Sequence, residues 1–178
     1  MWISPETKTD AFELDEIYWF IGKRKGYENG VNIYILTMLS REPRQTVAFD
    51  VGGSVNAPLI QNMVDNTAQA DVYHTDGGQS YLGVDFIGLH NRNIHDKSDT
   101  HNIEGSNADL RHYIAGLRRK SCCFFRKKET LIAVLSIFVH AYNRYGAAKS
   151  QYRLSHPGCG RDFPFRTCSH SGRRQNFE

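Results

Sequence analysis

Three runs of this sequence demand to be strands. Phe12 to Ile21, Val31 to Leu39 and Thr46 to Val51 are dense in aromatic and β-branched residues, with short polar turns between them. Glu28-Asn29-Gly30 between the first two is a strong hairpin signal, and Gly52-Gly53 closes the third. Three such runs joined by short turns predict an antiparallel meander. The pattern then changes period. Ser54 can cap a helix reaching about Asn66, with Leu59, Ile60, Met63 and Val64 on one side. Asp71 to Asp76 reads as a fourth strand and Phe86 to His90 as a fifth. A helix from His101 to about Arg119 follows, and a last one from Lys127 to Tyr145 carries a wide apolar face. The expected fold class is α/β, with a mixed five-stranded sheet flanked by helices.

The chain of 178 residues suits one domain, with 40% hydrophobic residues to build its core. The expected division is a linker or disordered start over 1–11, a globular domain over 12–146 and a basic, poorly ordered tail over 147–178. Met1-Trp2-Ile3-Ser4-Pro5 lacks the features of a signal peptide. The longest apolar run, Leu131 to Tyr142, contains Ser136 and His140 and is too short to span a bilayer. A cytoplasmic protein without membrane contact is therefore expected. Adjacent Cys122 and Cys123, with Cys159 and Cys168, do not outline a disulfide framework. The eight residues between the last two fit no zinc finger, even with His156 and His170 nearby.

Charge is distributed unevenly. Net charge is only +3, yet Leu110 to Lys128 holds seven Lys or Arg and no acid. Such a run is either solvated surface or the footprint of a phosphate-binding patch. In the helix beginning at His101, Glu104, Asn107, Arg111 and Arg118 recur at helical spacing on one face. Ile103, Leu110, Ile114 and Leu117 lie on the neighbouring face and would anchor the helix to a core.

Two more acids belong with Glu104. Asp15 is bracketed by large apolar residues in the first strand, where a lone carboxylate is costly to desolvate. Asp76 ends the fourth strand, just before two glycines. The expected topology makes these strands neighbours and brings the two carboxylates together, which favours a cation between them or a proton on one. Asp15, Asp76 and Glu104 together suit a site for two Mg²⁺ or Mn²⁺ ions, as catalytic and metal-ligating residues at once. Singly, each has an ordinary reading: a satisfied strand residue, a turn former, and an acid favoured by the helix dipole in a first turn. His74 shares the strand face of Asp76 and either approaches the site or is hydrogen-bonded at the strand edge. Tyr18 and Trp19 read as core, with stacking on an extruded base as the functional alternative.

Glu13-Leu14-Asp15-Glu16, Thr75-Asp76-Gly77-Gly78-Gln79-Ser80-Tyr81 and Ile103-Glu104-Gly105-Ser106-Asn107-Ala108-Asp109-Leu110-Arg111 resemble the three catalytic blocks of DDE transposases. More narrowly, Ile-Glu-x-x-Asn-x-x-Leu-Arg followed by Leu117 to Phe125 resembles the catalytic-domain product of bacterial insertion-sequence-one type elements. The resemblance runs from about Phe12 to Tyr145. It implies an RNase H-like fold and a transposase catalytic domain for DNA cleavage and strand transfer at insertion-element ends. Asp15, Asp76 and Glu104 would be its metal ligands, with Mg²⁺ or Mn²⁺ as two ions. Arg111 would contact the DNA end, Arg118, Arg119 and Lys120 would extend backbone binding, and Asn107 would hold a phosphate or Glu104.

The implied partners are element-end and target DNA, further copies of the chain on that DNA, and an upstream-frame DNA-binding product, fused or in trans. Nothing before Phe12 suits the zinc-binding and helix-turn-helix parts of related transposases, so the catalytic segment of a longer protein, or a relic copy, is expected, with a nucleoid-associated location. Two other readings fit the same residues: a catalytically silent DNA-binding or regulatory fragment, and an RNase H-type nuclease.

Overall fold

The computed structural model describes residues 1–4, 9–22, 30–93, 99–119 and 123–145. The expected Asn29-Gly30 turn lies almost wholly outside these residues, and the 147–178 tail lies fully outside them. The meander forms as expected: β2 (Ala11–Ile21), β3 (Val31–Ser40) and β4 (Thr46–Gly52) pair antiparallel in sequence order. β5 (Val72–Asp76) then lies parallel to β2, with Leu14 opposite Thr75. The sheet is mixed.

It has six strands rather than five. β1 (Trp2–Ile3) pairs antiparallel with β4, within the segment expected to be a linker. The Trp2 ring stacks on Phe49 at 5.7 Å, and the amino terminus meets Asp50 at 3.2 Å, which fixes this short strand at the edge. The other edge is β6 (Leu89–Asn93), parallel to β5 and shifted later than expected. Phe86 stays outside the strand, its ring packed between Tyr73 and His90. The spatial order is β1-β4-β3-β2-β5-β6.

Helices cover both faces. α1 (Ala57–Asn66) buries Ile60, Met63 and Val64 against Phe12, Leu14, Leu36 and Met38. Its cap is Asn56 rather than Ser54, accepting the Leu59 N–H at 3.0 Å. The reason is Pro58: starting at Ala57 puts it in the first turn, where a missing N–H costs no hydrogen bond. The opposite face carries α2 (His101–Tyr113) and α3 (Lys128–Tyr145). Leu110, Leu131, Leu135, Phe138 and Val139 pack there on Ile17, Ile33, Ile35 and Val51. Asn143 pins α3 to β4, accepting from the Thr46 N–H at 3.1 Å and donating to its carbonyl at 2.8 Å.

α2 ends earlier than its spacing predicts. Ile114 is extended and Ala115–Leu117 form a 3-10 turn, so Arg118 leaves the face that Glu104 and Arg111 share. Phe125 packs over Gly116, where a Cβ would lie 2.4 Å from its ring. The break lets Ile114 and Leu117 both reach the core, and a helix-interior glycine would itself cost about 1 kcal/mol. Among the described residues no helix is long and apolar enough to cross a membrane.

Candidate metal centre

β2 is the middle of the site. Asp15 and Glu16 are consecutive and therefore point to opposite faces of the sheet. β5 stops one residue beyond the Leu14–Thr75 pair, so its terminal Asp76 meets both. One carboxylate oxygen from each of Asp15, Glu16 and Asp76 lies within 4.8 Å of the others. The expected meeting of Asp15 and Asp76 is present. Glu16 was not among the expected ligands, although it interrupts the same apolar strand as Asp15. This group of acids is able to hold a metal ion.

Each member is held from behind. Asn107 of α2 donates its amide to Asp15 Oδ2 at 2.8 Å, and the Thr37 hydroxyl donates to Asn107 Oδ1 at 3.0 Å. Tyr81, 1% exposed, donates its hydroxyl to Glu16 Oε2 at 2.9 Å. Asp76 Oδ1 accepts the Gly78 N–H at 2.8 Å, and a Cβ on Gly78 would come within 2.9 Å of that oxygen. The second glycine therefore keeps the space that the carboxylate occupies. Arg92 of β6 donates to the Gly77 carbonyl and fastens the same turn.

Burial pushes the Asp15 carboxyl up, and the charges of Asp76 and Glu104 push it further against the opposing hydrogen bond from Asn107. Glu16 is raised likewise, by burial and then by Asp76 and Asp15, while the Tyr81 bond opposes the rise. Tyr81 itself is held far above its usual value by burial beside these acids, so its hydroxyl remains a donor. Asp15 and Glu16 thus hold their protons mainly because burial disfavours the charged form, and neighbouring acids add to this. A hard divalent cation compensates the charged form through oxygen ligands.

Glu104 takes a different place. It is exposed near the start of α2, acts on Asp15 through its charge and stands outside the three-acid group. Asn107 is 3% exposed and turned inward onto Asp15, so it is an internal support of the carboxylate rather than a phosphate ligand. Arg111 is half-buried. Burial and neighbouring Arg119 lower its pKa while Asp15 opposes them, and its Nε has no hydrogen-bond partner among the described residues. Arg118 is exposed and donates to the His112 carbonyl at 2.9 Å. Arg119 is exposed beside it. Lys120 lies outside the described residues.

No family model and no curated protein matches this sequence.

His74 does not join the acids. Its ring contacts Arg41 Nη1 at 3.1 Å, and burial followed by that cation lowers its pKa. Arg41 also pairs with Asp99 at 2.9 Å and with fully buried Glu13 at 3.2 Å. Glu13 in turn accepts the Ile103 N–H at 2.9 Å and the Asn102 amide at 2.7 Å. A strand carboxylate therefore holds the first turn of α2, where Thr100 provides no side-chain cap. The signal for Glu13 and Glu16 was available: three acids within four residues of an otherwise apolar strand.

Proposed function

We propose that this chain is an RNase H-like catalytic domain of a DDE-type transposase, acting on the DNA ends of an insertion element. The observation that carries the reading is the meeting of Asp15 and Asp76 at the end of β5, on parallel neighbouring strands, with Glu104 electrostatically linked to Asp15. The three motif blocks fall on β2, the end of β5 and α2.

In this reading Asp15, Asp76 and Glu104 hold Mg²⁺ or Mn²⁺, with Glu16 as an additional acid of the same cluster. The ions would activate the attacking oxygen and stabilise the leaving one in phosphodiester exchange. Asn107 and Thr37 fix the Asp15 carboxylate before DNA arrives, which limits reorganisation during reaction. Arg111, half-buried and electrostatically linked to Asp15, offers its guanidinium to the phosphate that approaches the acids. Arg119, whose charge acts on Arg111, would extend this positive surface along the DNA backbone. Arg118 and Lys120, its neighbours in sequence, would add to backbone binding from the segment after the helix. The reading also implies work as an oligomer on DNA in the nucleoid, with a DNA-binding product fused or in trans.

The test is cleavage and strand transfer on element-end DNA with Mg²⁺ or Mn²⁺, using the chain fused to the upstream product. Asp76→Ala and Glu104→Ala are each expected to abolish both reactions, and undiminished activity in either would sink the reading. Hydrolysis of RNA–DNA hybrids without strand transfer would assign a nuclease instead. Salt-dependent DNA binding without metal-dependent cleavage would assign a silent binding fragment.

A further inference from the structure

Among the described residues, the face of the sheet under α1 is only half covered. Phe12 and Leu14 of β2 are fully buried beneath that helix, Glu16 stands at its edge, and the strand continues past it with Tyr18 and Phe20. Tyr18 pairs directly across the strands with Tyr34, ring centroids 5.4 Å apart, and remains 45% exposed. Tyr18 therefore lies outside the core expected for it, and Tyr34 is half-buried beside it. One cross-strand aromatic pair has a simple use in stabilising a hairpin. Here the aromatic surface goes on: Phe20 lies 6.1 Å from Phe124, itself 39% exposed.

Charge accompanies the rings. The Gly22 N–H donates to the Phe125 carbonyl at 2.8 Å, binding the 123–127 segment to the end of β2. That segment carries exposed Arg126 and Lys127. Tyr18 is two residues along the strand from Glu16, about 7 Å on the same face. Along β2 the carboxylate cluster is thus followed by Tyr18 and then Phe20, and the segment bonded to the strand's end at Gly22 carries the two cations.

We infer that the Tyr18–Tyr34 face is a binding site for single-stranded DNA, with unpaired bases stacking on the two rings and Arg126 and Lys127 contacting the backbone. Stacking on aromatic side chains tolerates any base and contributes about 1–3 kcal/mol per base, and cations beside the rings follow the phosphates. A duplex keeps its base faces covered, so the site selects unpaired nucleotides next to the acids. The inference takes its choice of DNA from the proposed function, but the binding itself requires neither metal nor cleavage.

The experiment measures anisotropy of a labelled oligothymidylate titrated with the full chain in EDTA. Tyr18→Ala with Tyr34→Ala is expected to weaken binding by about 5-fold to 100-fold. Tyr18→Phe with Tyr34→Phe keeps it, and a matched duplex is much less affected by either pair. Unchanged affinity in a folded double-alanine variant overturns the inference and gives the face to another segment or a second copy. Should that variant not fold, Tyr18→Trp places a fluorophore there. Quenching by oligothymidylate but not by inorganic polyphosphate supports stacking; no quenching overturns it. Asp76→Ala is expected to lose cleavage and keep this binding, so the two proposals fail separately.

Discussion

Asn107 and Asp15 come from different elements, 92 positions apart in sequence, and meet through a 2.8 Å hydrogen bond. The bond joins α2 to β2 at a carboxylate of the acidic cluster. Asn107→Ala removes the donor and leaves the Thr37 hydroxyl without that acceptor. The expected loss is about 1–3 kcal/mol of stability, read by urea denaturation, together with weaker binding of Mn²⁺. A variant of wild-type stability and metal affinity would contradict the supporting role.

The raised pKa values of Asp15 and Glu16 set the sign of the pH response. Their ordinary values are 3.8 and 4.5, and both rise on folding. The stability they contribute is fully present below the unfolded values and is lost as pH rises through the folded ones. The metal-free protein should therefore lose stability between acid and neutral pH. Added Mg²⁺ or Mn²⁺ should restore it most at neutral pH, where protons no longer compete. Thermal shift measured across that window, against Na⁺ at matched ionic strength, checks this; equal shifts with both salts would count against a metal centre.

Tyr81 provides a finer probe, because it touches one acid alone. Tyr81→Phe removes the hydroxyl that lowers the Glu16 pKa, so that carboxyl should rise further. The acidic limb of any metal-dependent activity should move to higher pH. Stability should fall by about 1 kcal/mol. An unmoved limb would show that Glu16 plays no part.

Glu13 anchors rather than reacts. It is fully buried against Arg41, the Asn102 amide and the Ile103 N–H. Glu13→Ala should cost about 3–5 kcal/mol, the expected penalty for breaking a buried pair. Hydrogen exchange should report early opening of the first turn of α2, the turn that leads into Glu104. Loss spread evenly over the domain, with that turn still protected, would argue against the anchor.

The break after α2 is testable at Gly116. Gly116→Leu would force the added side chain into the Phe125 ring, at an expected cost of about 1–3 kcal/mol. Circular dichroism should show no lengthening of α2, because Ile114 and Leu117 must still reach the core. A gain in helix content with full stability would mean that the break is not enforced by packing.

Much of this arrangement is legible in the residues themselves. The apolar runs of β2, β3 and β4 and the turns between them specify the meander, since strand period and turn chemistry are local properties. Asp15 and Asp76 stand out because a charge in an apolar strand and an acid before two glycines are local anomalies. The helical spacing also identifies Ile103, Leu110, Ile114 and Leu117 as the buried anchor, and all four are buried.

Tertiary structure decided the rest. Two residues, Trp2 and Ile3, form a strand only because β4 offers them an edge and Phe49 a stacking surface. Helical period alone carries α2 on to Arg119, but Phe125 over Gly116 and the burial of Ile114 and Leu117 stop it at Tyr113. Asn107 looked like a member of a basic face, and its depth against Asp15 and Thr37 turned it inward. Glu16 entered the acidic cluster because β5 ends beside it, leaving Asp76 open to both faces of the sheet. Sequence determined which residues are out of place in a strand or on a helix. Which of them meet depends on where neighbouring elements end, and packing between segments distant in sequence sets that.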